Sequence, residues 1–312
     1  LPVAKYVDDL RAVIGRLQPD VVHTNSLKMH VVAAEARPAA ALVWHLHDYI
    51  SGRRLTERLL RRQVARVSAI VTNSQSVADD ARLALGPAAP VFAVPNAVDL
   101  HRFQPAGARL DLDALAGLPS PQHEVVRVGL LGAFGRWKGH TTFLDALARL
   151  PMALPVRAYI IGGPLYQTVG SQYSLEDLQR YARRLGLGDR VGFTGFVPRP
   201  EEAMRALDIV VHASTAPEPF GLVIAEAMAC SRPVIASDAG GARELFTPGV
   251  DGLPHTPGNA ESLARRIAEL VRDPDERVRL GHAGRLTAER LFDRARLATD
   301  LLPVYEHAMA HA

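Results

Sequence analysis

The chain has 312 residues, enough for two domains of ordinary size, and its 48% hydrophobic and 22% charged residues lie near the soluble globular average, which excludes a disordered or fibrous protein. A net charge of +3 and a pI of about 9.2 favour an anionic ligand or lipid surface but fall well short of a nucleic-acid-binding signature. Cys230 is the only cysteine, so an intrachain disulfide and a multi-cysteine metal site are excluded, and the residue reads as a small buried hydrophobe. No run approaches the roughly 18 uninterrupted apolar residues of a membrane span, and a signal-peptide layout is not found at the start; the expected location is the cytoplasm.

In chain order, short β-rich runs alternate with helical patterns. A helix is predicted over 3–17, and strands over 20–24, 41–46, 69–73 and 91–95. The segment 101–124 carries five Pro and Gly residues and reads as a domain linker. Strands follow at 126–132, 157–163, 191–195, 208–214 and 233–237, with helices at 140–150 and 174–187 between them. The alternation predicts an α/β protein with parallel sheets covered by helices on both faces. The expected division is 1–120 for a first domain, 121–290 for a second, and 291–312 for a terminal helix packing back toward the first. The chain opens with Leu1 directly into a helix, without the leading strand and Gly-rich phosphate turn of a doubly wound half, which reads as a missing front.

The most informative stretch is EPFGLVIAEAMA, 218–229. Strand 208–214 leads into a loop, and a helix starts near Gly221, whose first turn offers unpaired backbone N–H groups. Glu218 stands at that mouth, suited to accepting sugar hydroxyls. Glu226 lies about 7 Å further along the axis, in an otherwise apolar helix, where a buried carboxylate requires a partner such as the two hydroxyls of a ribose. Read alone, the pair fits equally a capping residue and a surface residue.

With its surroundings, the chain resembles the retaining glycosyltransferases of family 4, which have the GT-B fold of two Rossmann-like domains facing a cleft. EPFGLVIAEAMA looks like that family's E-x7-E signature, and RPVIASDAGGARE (232–244), VPNAVDLHRFQP (94–105) and WKGH (137–140) are similar to further family segments. The resemblance implies that Glu226 binds the donor ribose, that Glu218 and the backbone at Phe220, Gly221 and Leu222 hold the sugar, and that Lys138 meets the diphosphate. It also implies that His47, in HLHD at the end of a strand, faces the sugar, and that the backbone at Val197 meets the nucleotide base, although a valine there fits a core position equally. The family's Gly-Arg pair reads Gly132-Ala133 here, so the arginine's role is assigned to Arg136, whose replacement by Ala is expected to raise the donor KM and lower kcat together. Gly162 and Gly163 end a strand and permit close approach of a ligand, or simply a tight turn, as do Gly240 and Gly241 with Glu244. Lys5, Lys28 and His30 read as ordinary surface residues.

Two Asp-x-Asp sequences, 111–113 and 273–275, fall in the predicted linker and between predicted helices, so neither is read as a metal site, and no cofactor is expected beyond a nucleotide-diphosphate sugar as donor substrate. The resemblance implies retention, with same-face attack by a hydroxyl acceptor and the leaving phosphate taking its proton. The segment 53–70 reads as an arginine-rich amphipathic helix with Leu55, Leu59, Val67 and Val71 on one side. That helix either packs on its own sheet or makes peripheral contact with an anionic membrane at its inner face. A sugar-nucleotide 2-epimerase and a non-catalytic nucleotide-sugar-binding module remain as alternatives; nucleic acid is not an expected partner.

Overall fold

The computed structural model describes residues 2–165 and 170–311, and divides into two compact units, Leu1–Ala97 with Ala295–Ala312, and Val98–Arg294. Among the described residues no helix is long and apolar enough to cross a membrane.

The first unit carries a four-stranded parallel sheet, β1 (Val21–Thr24), β2 (Ala41–Leu46), β3 (Ala69–Thr72) and β4 (Val91–Ala93), in that order. Successive side chains alternate across it. Leu42, Trp44 and Leu46 pack toward α2 (Leu27–Ala36), α3 (Arg54–Gln63) and α4 (Gln75–Leu85). Ala41 and Val43 join Ala69 and Val71 on the opposite face, against Val304 and Ala308 of α12 (Leu297–Ala310). α1 (Pro2–Leu17) lies outermost, on α2. Ser26 and Ser74 cap α2 and α4 by accepting backbone N–H bonds.

The second unit has a six-stranded, wholly parallel sheet: β5 (Val126–Leu131), β6 (Val156–Ile161), β7 (Val191–Gly195), β8 (Ile209–His212), β9 (Val234–Ser237) and β10 (Leu253–His255). Their spatial order, β10-β9-β8-β5-β6-β7, reverses between β5 and β8, which is the doubly wound arrangement with its ligand crevice at that switch point. α6 (His140–Ala148), α7 (Leu175–Arg184) and α10 (Ala260–Arg272) bury Phe143, Leu178 and Ile267 on one face. α8 (Pro200–Ala206), α9 (Leu222–Ala229) and α11 (Pro274–Leu291) bury Met204, Met228 and Ala288 on the other. Cys230, after α9, is buried, and burial pushes its thiol up to about 12.

Three expectations are corrected. The first unit ends at Ala97 rather than at 120, because the supposed linker is anchored in the second unit. It forms α5 (Leu112–Ala116), buries Leu112, worth about 1.5–3 kcal/mol, and places Asp113 among Arg157 Nη1 (2.7 Å), Tyr159 Oη (2.7 Å) and Arg127 Nη2 (3.1 Å). Burial alone would raise the Asp113 carboxyl, but these donors hold it below its ordinary value. Second, the helix expected over 53–70 ends at Gln63, with a 3-10 turn Val64–Arg66. Leu60 and Val64 are its buried apolar residues, while Leu55 and Leu59 are exposed, and Val67 and Val71 belong to the following turn and strand. Third, His30 is wholly buried rather than on the surface, hydrogen-bonded to Thr24 Oγ1 at 2.6 Å and stacked on Trp44.

Candidate active site

Two loops at the carboxyl edge of the second unit's sheet build the site. The loop after β5 contains the 3-10 turn Arg136–Lys138 and the loop after β8 carries Glu218. What lets them meet is Gly139, in the left-handed region at φ +74°: a Cβ there would lie 1.8 Å from the Ala213 carbonyl oxygen. Thr215 N also donates to the Trp137 carbonyl at 2.7 Å. Lys138 Nζ thereby reaches Glu218 Oε1 as a direct ion pair.

The other carboxylate oxygen, Oε2, accepts from His212 Nε2 and from Ser214 Oγ, each at 2.6 Å. His255 Nε2 donates to the His212 carbonyl at 3.0 Å, and Ser237 Oγ to that of Ser214 at 2.7 Å, fixing the strand end from below. Gly241 N donates to the Glu218 carbonyl at 2.8 Å, so the Gly240-Gly241 turn holds the main chain of the same residue. Burial opposes ionisation of Glu218, yet the hydrogen bond and charge of His212, with the Lys138 ammonium, keep its carboxyl far below the usual range. Glu218 is therefore a fixed anion, held by its own protein rather than open at the loop mouth. His212 and Ser214 escaped the sequence reading. Their signal was present, since residues i and i+2 of a strand end point the same way.

Glu226 has the opposite environment. It sits half-buried in α9, its carboxyl group makes no hydrogen bond or ion pair with a described residue, and burial pushes that carboxyl up to about 7, with Arg102 opposing and Glu201 adding to the shift. It lines a cavity of about 430 Å³ at the sheet's switch point, together with Gly132, Gly162, Gly163, Phe196 and Val197. At φ +140°, Gly162 would place a Cβ 2.0 Å from the Gly132 carbonyl oxygen, so it serves the close approach of two strand ends that forms the cavity floor. Val197 is almost wholly buried, whereas Phe196, also missed from sequence, is 81% exposed at the lip. Phe220 packs its ring edge-on to Phe292, leaving only its backbone to the site, and Gly221, at φ +91°, is the N-cap of α9, with Leu222 exposed beside it. Arg136 is not brought to Glu218: its Nε donates to the Gly170 carbonyl at 2.8 Å and its guanidinium stacks 4.5 Å from the centre of the Tyr173 ring. Both Asp-x-Asp sequences have structural tasks, Asp113 as above and Asp273 as the N-cap of α11.

In the first unit, His47 follows β2 and belongs to a cluster. Its ring stacks on His45 at 4.1 Å, and its Nε2 lies 3.4 Å from Asn25 Oδ1. His45 Nδ1 meets His23 Nε2 at 3.2 Å, and His23 Nδ1 meets Tyr305 Oη at 2.8 Å. Burial lowers all these rings, that of His45 to about 3, and His30 on the other face of the sheet is likewise lowered to about 3.

Residues 121–287 match the family model described as glycosyl transferases group 1, and residues 2–102 match the glycosyltransferase family 4 model. A D-inositol 3-phosphate glycosyltransferase of Catenulispora acidiphila is 33% identical over 79% of this chain and 59% of its own length; the chain thus spans about three-fifths of that curated relative. The crystal structure of Anabaena Alr3699/HepE in complex with UDP is 31% identical, covers 97% of this chain and 81% of its own, and superposes with a TM-score of 0.84. Sucrose-phosphate synthase from Thermosynechococcus elongatus, 25% identical, covers 99% and 79% with a TM-score of 0.85. The chain belongs to the glycosyl transferases group 1, with the GT-B fold of two Rossmann-like units.

Proposed function

We propose that the protein transfers a hexose from a nucleotide-diphosphate sugar to a hydroxyl of a glycan, lipid or small-molecule acceptor, with retention and without a metal. The observation that carries this reading is the pairing, on one helix and the loop before it, of a fixed anion and an unpartnered carboxyl. Glu218 is locked by His212, Ser214 and Lys138, whereas Glu226 lines an open cavity with its hydrogen-bonding capacity unused. A ribose supplies the two donors that Glu226 lacks, and the site's fit to a nucleotide follows from that match. The UDP held by the Anabaena relative favours a uridine nucleotide as the first donor to try.

In this reading Lys138 exchanges part of its contact with Glu218 for the donor diphosphate. It then stabilises the charge that grows there as the bond from the anomeric carbon to the phosphate oxygen breaks. The acceptor hydroxyl attacks from the face the phosphate leaves, and a phosphate oxygen takes its proton. The backbone N–H groups at the start of α9, and Glu218 Oε1 where Lys138 has turned to the diphosphate, hold the hexose hydroxyls, and His47 is the first unit's proposed contribution to the sugar contact. The engagement of both Asp-x-Asp sequences in structural bonds supports the metal-independent form.

The test is a thermal-shift panel of uridine, guanosine and adenosine diphosphates and their glucose conjugates, followed by assay of donor hydrolysis. One nucleotide family should raise the Tm by mass action and its sugar conjugate should be cleaved, with both effects lost in Glu226→Ala. A Tm shift of equal size in Glu226→Ala would show that the nucleotide binds elsewhere.

A further inference from the structure

The carboxyl end of the first sheet holds a chain of ring contacts that the reaction outlined above does not use. Tyr305 Oη, on α12, lies 2.8 Å from His23 Nδ1, 282 positions away in the sequence, so the contact exists only while α12 lies on the sheet. His23 Nε2 lies 3.2 Å from His45 Nδ1, and the His45 ring is the platform for His47, with ring centres 4.1 Å apart and planes 30° from parallel. His47 is exposed, and its side chain's one hydrogen bond with a described residue, to Asn25 Oδ1, is long at 3.4 Å. The stack on His45 is therefore what places the ring.

The protons along the chain can be assigned. Burial holds His23, His45 and His47 below the ordinary histidine value, His45 at about 3, so each ring is neutral at neutral pH and carries one N–H. One proton must lie between His23 Nε2 and His45 Nδ1. If His23 donates it, His45 carries its own proton on Nε2, an atom that is buried and without a partner among the described residues, and an orphaned buried N–H is the costlier arrangement. If His45 Nδ1 donates, Nε2 keeps only a lone pair, and the proton of His23, on Nδ1, goes to Tyr305 Oη. The tyrosine oxygen is then the acceptor that orders the whole chain.

We propose that Tyr305 is a positioning residue for His47: by accepting from His23 it fixes the tautomer and plane of His45, the platform on which His47 rests. The consequence for the sugar contact rests on the function proposed above; the ring arrangement does not.

The experiment combines NMR of the histidine ring nitrogens in the ligand-free chain with hydrolysis of UDP-glucose by the wild type, Tyr305→Phe, His47→Ala and the double variant. Tyr305→Phe keeps the ring that packs on the sheet and loses only the oxygen, so an unaltered Tm is expected. In the wild type the His45 proton should sit on Nδ1 alone. In Tyr305→Phe it should be divided between the two nitrogens, and the His47 ring should relax as a mobile side chain. The kcat for UDP-glucose should fall about tenfold in Tyr305→Phe, within the about 10²-fold that a misplaced contact can cost, while the Kd of UDP, which lacks the sugar, stays unchanged. In the His47→Ala background the same substitution should cost nothing further, because its effect passes through that ring. His45→Phe, a platform that needs no hydrogen bond, should make the rate independent of Tyr305. A His45 proton on Nε2 in the wild type, spectra indifferent to Tyr305→Phe, or an equal loss of rate with and without His47 would overturn the proposal. UDP-glucose left intact by a protein whose spectra respond as expected would count against the donor and leave the ring arrangement standing.

Discussion

The carboxyl ends of the two sheets solve the placement of polar groups in opposite ways. In the first unit, His23, His45 and His47 with Tyr305 form a chain of neutral rings joined by hydrogen bonds and stacking, which burial keeps uncharged. In the second, Lys138 on the loop after β5 and Glu218 on the loop after β8 form a permanent charge pair, while Glu226 on α9 balances near neutrality of pH. A ring lowered by burial is made for contact with neutral hydroxyls or for passing a proton. A fixed ion pair is made for meeting charge that appears during reaction. In the function proposed above, that difference is the electrostatic ground for placing the diphosphate in the second unit.

The contrast breaks most visibly in acid. His30, wholly buried and lowered from 6.5 to about 3, must stay neutral in the fold although the unfolded chain would protonate it. Its contribution is present above pH 6.5 and is lost as pH falls through 6.5 toward 3, by at most about 5 kcal/mol at about 1.36 kcal/mol per unit. Thermal unfolding followed by fluorescence of buried Trp44 should show the first unit's Tm dropping steeply between pH 6.5 and 4. His30→Asn, which keeps a group to bond Thr24 but removes the titration, should lower the neutral Tm and flatten that slope. An unchanged slope would remove His30 from the account.

Next in size is Lys138. Replacing a single donor that stabilises developing charge costs about 10²–10³ in rate, so Lys138→Ala should lower kcat for donor hydrolysis by that factor, while Lys138→Arg recovers part of it. A loss confined to KM would mean that Lys138 only recruits the donor.

Glu226 gives a pH effect of a different sign and kind. With its carboxyl raised from 4.5 to about 7, the ligand-free fold favours the protonated form; the group's contribution to stability is present below pH 4.5 and is lost as pH rises through 7. Ribose hydroxyls favour the ionised form, so affinity for UDP-glucose, whose own phosphates do not titrate in this range, should rise by about tenfold between pH 6 and pH 8. Calorimetry on Glu226→Gln should find weaker and pH-independent binding. A wild-type affinity already flat with pH would place the carboxyl in some other environment.

How much of this the sequence disclosed depends on whether the signal was local. The strand at 41–46 was legible to the residue because a buried parallel strand is a nearly continuous apolar run, and that at 191–195 because its short β-forming run is closed by Gly195. β10 was not: it has three residues, one of them Pro254, which only an edge strand tolerates. α3 was overextended because its arginine-rich pattern runs on beyond the point where tertiary packing converts the chain to a 3-10 turn and then β3. The pair Glu218 and Glu226 was visible as spacing, but their inequality was not, since it comes from His212 and Ser214 on one carboxylate and an open cavity beside the other. Asp113 likewise reveals its role only through Arg157 and Tyr159, more than forty residues away in the chain.

The smallest expected effect falls on Arg136, the residue assigned the role of the family's arginine. Arg136 has the charge for the diphosphate, but its guanidinium is stacked on Tyr173 and bonded to the Gly170 carbonyl, and its side chain is exposed. An exposed cation on an aromatic face is held by about 0.5–1 kcal/mol, so drawing it to a ligand is inexpensive, but its Coulomb gain there is screened as well. Arg136→Ala should therefore raise the donor KM by no more than about fivefold, the equivalent of 1 kcal/mol, with kcat nearly unchanged. Measured beside Lys138→Ala in one assay, a kcat loss of similar size in the two variants would show that Arg136 leaves Tyr173 on donor binding and shares the charge of the leaving group. A small KM effect alone would leave Lys138 as the cation that matters and Arg136 as a brace for the turn that presents it.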